Sequence, residues 1–215
     1  LFLYRRSLAE KLLGVTTPEE MQEKVKDWDA FLETAREVSK ASDGATKLIP
    51  ANGDVWQVVR TKRNAPWVDE SLNLVVDDQV KWYFDFAKTL REENLTANAN
   101  PWSEAWNAGV GNDSIMGYFF STWGIQWVMT GNAGGSQPGE GTYGDWAAVN
   151  GPQPYYWGGT WLTAAATSQN LPLVKDIMEY FTVETASMQD YCLKSKDYVN
   201  NQEAVQNIID AGFSF

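Results

Sequence analysis

Ile115-Met116-Gly117-Tyr118-Phe119-Phe120-Ser121-Thr122-Trp123 is the stretch whose reading decides the fold. The run from Ile115 to Phe120 is short and apolar, with polar turn residues on both sides. That pattern predicts a buried strand. A helix is expected over 122–130, with Trp123 where it begins. A strand that feeds a helix is the local unit of an α/β layer architecture.

Working outward, the same alternation recurs. Residues 1–6 read as a strand, followed by a short helix over 7–13 that stops at Gly14. Thr17-Pro18-Glu19-Glu20 carries a capping hydroxyl, Pro at the first helical position and acids in the first turn. Asp27 caps a helix over 28–40, whose Trp28, Phe31, Ala35 and Val38 share one face. Residues 47–50 and 55–59 read as strands or buried loop. Asp77-Asp78 opens a helix to about Glu93 with an apolar stripe of Val80, Tyr83, Phe84, Ala87 and Leu90. A short helix follows Pro101 and closes at Gly109 and Gly111. Six Gly and one Pro between Gly131 and Gly144 exclude a regular element and predict an exposed loop or flap. Trp146 to Val149 and residues 160–167 read as strands. Helices close the chain at about 171–182, 184–194 and 201–211, the last capped by Asn200.

Composition narrows the chemistry. The chain has 215 residues, no His, one Cys and a formal net charge of -11. Without His there are no His metal ligands, triads or His general bases within it. A single Cys, Cys192, excludes an internal disulfide framework and reads as a small buried hydrophobe. The acidic balance works against a phosphate-backbone binder, so no nucleic-acid partner is expected. No Gly-x-Gly-x-x-Gly or phosphate loop is present. No cofactor and no metal is called for. No apolar run is long enough to span a membrane. The leading Leu1-Phe2-Leu3-Tyr4, without Met or a signal pattern, and the closing Phe213-Ser214-Phe215 suggest a piece cut from a longer protein.

Charge is also unevenly spread. Residues 1–91 hold 14 of the 17 basic residues, and 92–174 hold none. That basic-free stretch is rich in Trp, of which the chain has eleven. Trp56, Trp67, Trp123, Tyr155, Trp157 and Trp161 fall in loops or at the ends of the expected strands, the edge where open α/β sheets bind ligands. Packing into a core remains the plain alternative for each. A pyranose offers apolar C–H faces to such rings and hydroxyls to groups such as Asp145. A neutral ligand needs no basic clamp. Asp113, Glu140 and Asp145 could also form a glycosidase pair if two lay roughly 5–10 Å apart, or serve only as solvated or hydrogen-bonding carboxylates.

Several stretches in order carry a family resemblance. Phe2-Leu3-Tyr4-Arg5-Arg6-Ser7-Leu8-Ala9-Glu10-Lys11 resembles a strand entering a second lobe. Trp28-Asp29-Ala30-Phe31-Leu32 resembles the helix after a Pro-bearing turn. Ile115 to Trp123 resembles a cleft-lining strand and helix start. Gly151-Pro152 through Trp157-Gly158-Gly159-Thr160-Trp161 resembles a segment returning to a first lobe, with Ser168 to Phe181 as its next helix. Asp197-Tyr198-Val199-Asn200-Asn201 before the final helix also fits. Together these are similar to the extracellular solute-binding proteins of ABC-type sugar importers, the maltose-binding-protein-like class.

The resemblance implies a type II periplasmic-binding-protein-like fold, a three-layer α/β/α lobe over residues 1–158 with a mainly helical part of the other lobe over 159–215. It implies non-catalytic capture of a sugar or oligosaccharide in a cleft by hinge closure. It further implies delivery to ABC permease transmembrane subunits, a monomer, and an extracellular or periplasmic location with a lipid-anchored parent. Trp123 is the leading sugar contact, followed by Trp157 and Trp161, then Trp56, Trp67, Tyr155 and Asp145. The glycine-rich loop and the lack of an aromatic-Gly-Gly pattern over 54–63 depart from the family.

Overall fold

A computed structural model describes residues 1–212. Phe213 and Phe215, read above as signs of a cut end, lie outside the described residues. The chain divides into two compact units. One comprises residues 1–121 and 128–157, the other residues 122–127 and 158–212.

The first unit is built on a three-stranded sheet of order β2-β1-β3. β1 (Phe2–Arg5) is buried along its whole length. It pairs antiparallel with β2 (Gly117–Phe119), Phe2 opposite Phe119, and with β3 (Trp146–Val149), Phe2 opposite Val149. Gly117 is what permits the first pairing. A Cβ there would lie 2.3 Å from the Phe2 ring and 3.0 Å from the Leu3 carbonyl. Isolated parallel bridges, Lys47 to Ile115 and Ile49 to Thr96, extend the layer beyond β2. Residues 47–50 are thus bridged, buried loop.

Helices cover this sheet. α1 (Arg6–Leu13) ends at Gly14, whose φ of 68° gives the left-handed cap. α2 (Pro18–Lys24) starts with a full capping box between Thr17 and Glu20. α3 (Trp28–Ala41) is capped by Asp27 and buries Phe31, Thr34, Ala35 and Val38. α5 (Asp78–Glu92) is capped by Asp77, and α6 (Glu104–Ala108) by Ser103. The core gathers Phe2, Tyr4, Phe31, Val55, Val58, Leu90 and Phe119. Phe31 stacks on Phe119 at 5.5 Å and meets Phe2 edge-on.

Several expectations are corrected. Residues 55–59 form a helix, α4 (Asn52–Val59), not a strand. Val55, Val58 and Val59 are buried at spacings of three and four, and that helical face outweighs β-branched propensity. In α5, Phe86 is buried while Phe84 is 63% exposed. The glycine-rich segment is largely exposed loop, as expected, and it is tied at its base. Thr142 is buried, and its Oγ1 donates to the Val110 carbonyl at 2.9 Å.

The expected helix after β2 is present in three pieces. These are α7 (Thr122–Gly124), a π-helical turn over Ile125–Met129, and α8 (Thr130–Asn132). Residues 160–167 form no strand and are exposed.

The second unit holds α9 (Leu171–Thr182), α10 (Thr185–Ser195) and α11 (Gln202–Asp210). Asn201, not Asn200, caps α11, accepting from the Ala204 N–H at 2.9 Å. Met188, Cys192, Ala204 and Ile208 pack α10 on α11. α9 has no buried residue and leaves Leu171, Leu173, Ile177, Tyr180 and Phe181 exposed. Among the described residues no helix is long and apolar enough to cross a membrane.

Candidate functional site

The aromatic residues of the first unit are not scattered. Trp106 of α6 is fully buried and stands at the centre of a set. Its ring lies 5.0 Å from Trp102, 5.1 Å from Tyr118 and 5.4 Å from Phe120. Phe120 stacks on Trp157 at 5.5 Å with only 6° between the planes. Trp102 meets Trp157 edge-on at 6.0 Å. Trp102 remains 52% exposed and Trp157 is half-buried, so the set presents ring surface to solvent over a packed floor.

Two features mark this surface as more than core. Trp102 has φ +70°, a left-handed conformation that is rare for a bulky side chain. Residues held there cluster at binding and active sites, where surrounding packing fixes them. Beneath it, Asp54 of α4 is fully buried. Its Oδ1 accepts from the Trp106 Nε1–H at 3.1 Å, while Oδ2 has no partner. Burial pushes its acid up to about 7, against opposing hydrogen bonds from Trp106 and from the backbone of Ala51 and Asp54. The Trp106 backbone is held in turn by the Tyr118 hydroxyl, which donates to its carbonyl at 2.8 Å.

The other sequence candidates have different surroundings. Tyr155 is tied into the sheet. Its hydroxyl lies 2.7 Å from the Leu1 carbonyl and 2.6 Å from that of Phe120. Asp145 accepts from Arg5 Nε at 2.7 Å and from the Ser7 backbone N–H at 2.9 Å. Burial raises its carboxyl, but the bonds from Ser7 and Arg5 outweigh that and hold it below the usual range. It anchors the start of α1. Glu140 accepts from the Ser136 and Gln137 N–H groups across its loop. Trp56 lies on α4 rather than at a strand mouth, 4.9 Å from Tyr83 and 6.2 Å from Trp67. Arg63 stacks over Trp67 at 3.6 Å and is fixed by Asp77 at 2.8 Å.

In the second unit, Trp123 is half-buried. Gly158, at φ +78°, lies against it, and a Cβ there would be 3.2 Å from the Trp123 Nε1. Trp161 is 82% exposed. Behind α4, a polar cavity of about 430 Å³ is lined by Asn52, Leu90, Arg91, Asn94, Thr96 and Asn98. Among the described residues no group of three or more His, Cys, Asp or Glu could hold a metal ion.

Sequence reasoning had singled out Trp157 but not Trp102, Trp106, Phe120 or Asp54. The two Trp residues four apart after Pro101 were the available signal, although Trp102 precedes α6 and meets Trp106 from a left-handed backbone rather than along a helix face. Nothing in Gly53-Asp54 announced a buried carboxyl.

Neither a family model nor a curated protein sequence matches the chain. Solved structures do. An extracellular solute-binding protein of family 1 superposes with a TM-score of 0.82 at 18% identity, over 96% of this chain and 52% of its own. The fold is that of the extracellular solute-binding proteins. The ABC-transporter-associated binding protein of B. animalis subsp. lactis Bl-04, in complex with β-1,6-galactobiose, gives 0.62 at 21% identity, over 95% of this chain and 50% of its own. A Synechococcus sp. MITs9220 protein assigned as an oligosaccharide periplasmic-binding protein gives 0.62 at 14%, over 97% and 51%. The chain therefore spans about half the length of the solute-binding proteins it matches. These neighbours are named as binding proteins rather than enzymes.

Proposed function

We propose that the protein containing this chain is a non-catalytic receptor for a neutral sugar or oligosaccharide, which it delivers to an ABC-type membrane permease outside the cytoplasm. The observation that carries this reading is the exposed Trp102–Trp157 edge over Phe120 and Trp106, with Trp102 at positive φ. Flat rings accept the C–H faces of a pyranose, and convergent aromatic surface with few charges is the usual character of a small-molecule site. The absence of Lys and Arg between residues 92 and 174 favours an uncharged ligand. The solute-binding-protein fold and the galactobiose complex among its neighbours support the same class.

In this reading, the first unit belongs to the second lobe of the parent, and the second unit is a portion of its first lobe. Trp102 and Trp157, both of the first unit, stack on the ligand. Ligand binding favours the closed state of the parent, which a permease recognises. The parent acts as a monomer, lipid-anchored at the cell surface. No bond is made or broken. Asp145 and Glu140 hold local structure, so nothing favours a glycosidase.

The test is tryptophan fluorescence of the full-length parent titrated with neutral mono- and oligosaccharides. A saturable change that Trp102→Ala and Trp157→Ala each weaken at least tenfold supports the proposal. A folded parent that answers no sugar refutes it.

A further inference from the structure

Asp54 has no part in sugar stacking itself, yet its placement is unusual. Among the described residues it is the one carboxylate that is fully buried. No Lys or Arg pairs with it among those residues. Its one side-chain partner is the Trp106 indole, and Oδ2 is unpartnered. Trp106 in turn touches Trp102, Tyr118 and Phe120. The titratable groups that face Asp54 are Tyr83 of α5, Tyr118 of β2 and Tyr155 after β3, each raised partly by its charge. All three are neutral near pH 7, so none compensates a negative charge. Asp54 is surrounded by donors too few to solvate a carboxylate.

We propose that Asp54 is a positioning residue which, as the uncharged acid, holds Trp106 and thereby the Trp102–Trp157–Phe120 stacking surface, and that its ionisation loosens this surface and weakens ligand binding. The inference rests on the sugar reading only in its final clause. The physical cause is hydration. A buried carboxylate without a cation favours conformations that admit water, and the side chain bonded to it is the Trp106 indole. Burial places the change near pH 7. The chain contains no His, so no other side chain with an ordinary pKa titrates there. The Leu1 amine, which burial lowers to about 6, also titrates in this range and is removed by N-terminal acetylation.

The experiment follows Trp fluorescence and near-ultraviolet circular dichroism of the acetylated chain from pH 5 to 9. The wild type is compared with Asp54→Asn, and sugar affinity of the parent is measured at pH 6 and 8. The expected result is a one-proton spectral transition near pH 7 that Asp54→Asn abolishes. Sugar dissociation constants should rise at least fivefold between pH 6 and 8 in the wild type and less than twofold in the variant. If Asp54→Asn does not fold, Trp106→Phe replaces it and should remove most of the spectral change. A flat wild-type titration, or a transition that persists in the variants, overturns the proposal. A spectral transition with pH-independent affinity overturns its link to ligand. A parent that binds no sugar at any pH but keeps the Asp54-dependent transition refutes the sugar reading and leaves the hold on Trp106 supported.

Discussion

Replacing Asp54 by Asn keeps the side-chain shape and an acceptor for the Trp106 indole but removes the acid. In the folded chain that acid lies at about 7, against 3.8 for the ordinary group. The folded state therefore retains a proton that the unfolded chain releases. The wild type's stabilising contribution from this site is fully present below pH 3.8 and is lost as pH rises through about 7. At ~1.4 kcal/mol per unit, that displacement amounts to roughly 4 kcal/mol as an upper figure, since relaxation and water entry lower it. Relative to Asp54→Asn, the wild type should lose close to ~1.4 kcal/mol per pH unit between pH 4 and 7, then level off. Urea denaturation at pH 5, 6, 7 and 8, read by far-ultraviolet circular dichroism, measures the difference. Groups such as the Leu1 amine cancel in the comparison. Parallel stability curves for the two proteins across that range would refute the assignment of a raised, uncompensated acid at Asp54.

Other consequences are more local. Asp145→Ala leaves Arg5, whose side chain is only 7% exposed, with the exposed Asp113 as its remaining carboxylate, beside the Asn112 carbonyl and the Ser7 hydroxyl. It should cost about 3 kcal/mol in denaturant unfolding. Because the Asp145 carboxyl is depressed, its contribution is present above pH 3.8 and is lost as pH falls below that, a loss Asp145→Ala should remove from an acid titration. Gly117→Ala forces a Cβ against the Phe2 ring and should destabilise by about 1–3 kcal/mol in the same assay. Gly158→Ala places an L side chain at φ +78° beside the Trp123 indole, costing about 1–2 kcal/mol, with a change in Trp emission.

Much of the fold was written in local signals. Thr17-Pro18-Glu19-Glu20, Asp27 and Asp77 mark helix starts because their side chains satisfy the first N–H groups, and the structure uses each one as a cap. Phe2 to Arg5 and Gly117 to Phe119 read as strands because an apolar run between polar turns has few other ways to bury itself. Readings failed where tertiary packing overruled local preference. Val55, Val58 and Val59 favour strand by residue type, yet their spacing serves a helical face against the core. Residues 160–167 mix Trp161, Leu162 and three Ala with three Thr but have no strand partner, and without a ladder such a segment stays irregular.

The candidate site was legible in kind rather than in membership. An excess of Trp in a stretch without basic residues pointed to a neutral, flat-faced ligand. Which rings meet depends on contacts across long sequence separations. Trp157 reaches Phe120 and Trp102 only because the segment after β3 returns past β2. Tyr155, two residues away, spends its hydroxyl on the Leu1 and Phe120 carbonyls, a duty its neighbours in sequence do not disclose. Asp54 is the extreme case, because burial of a carboxyl is a property of the whole packing.

The most direct test of the central claim is calorimetric titration of the full-length parent with neutral oligosaccharides, with galactobiose among them. The account predicts saturable binding that changes little with salt and falls at least tenfold in Trp102→Ala and in Trp157→Ala, with both variants folded. A folded parent that binds no neutral sugar, or binds one equally well in both variants, would contradict it.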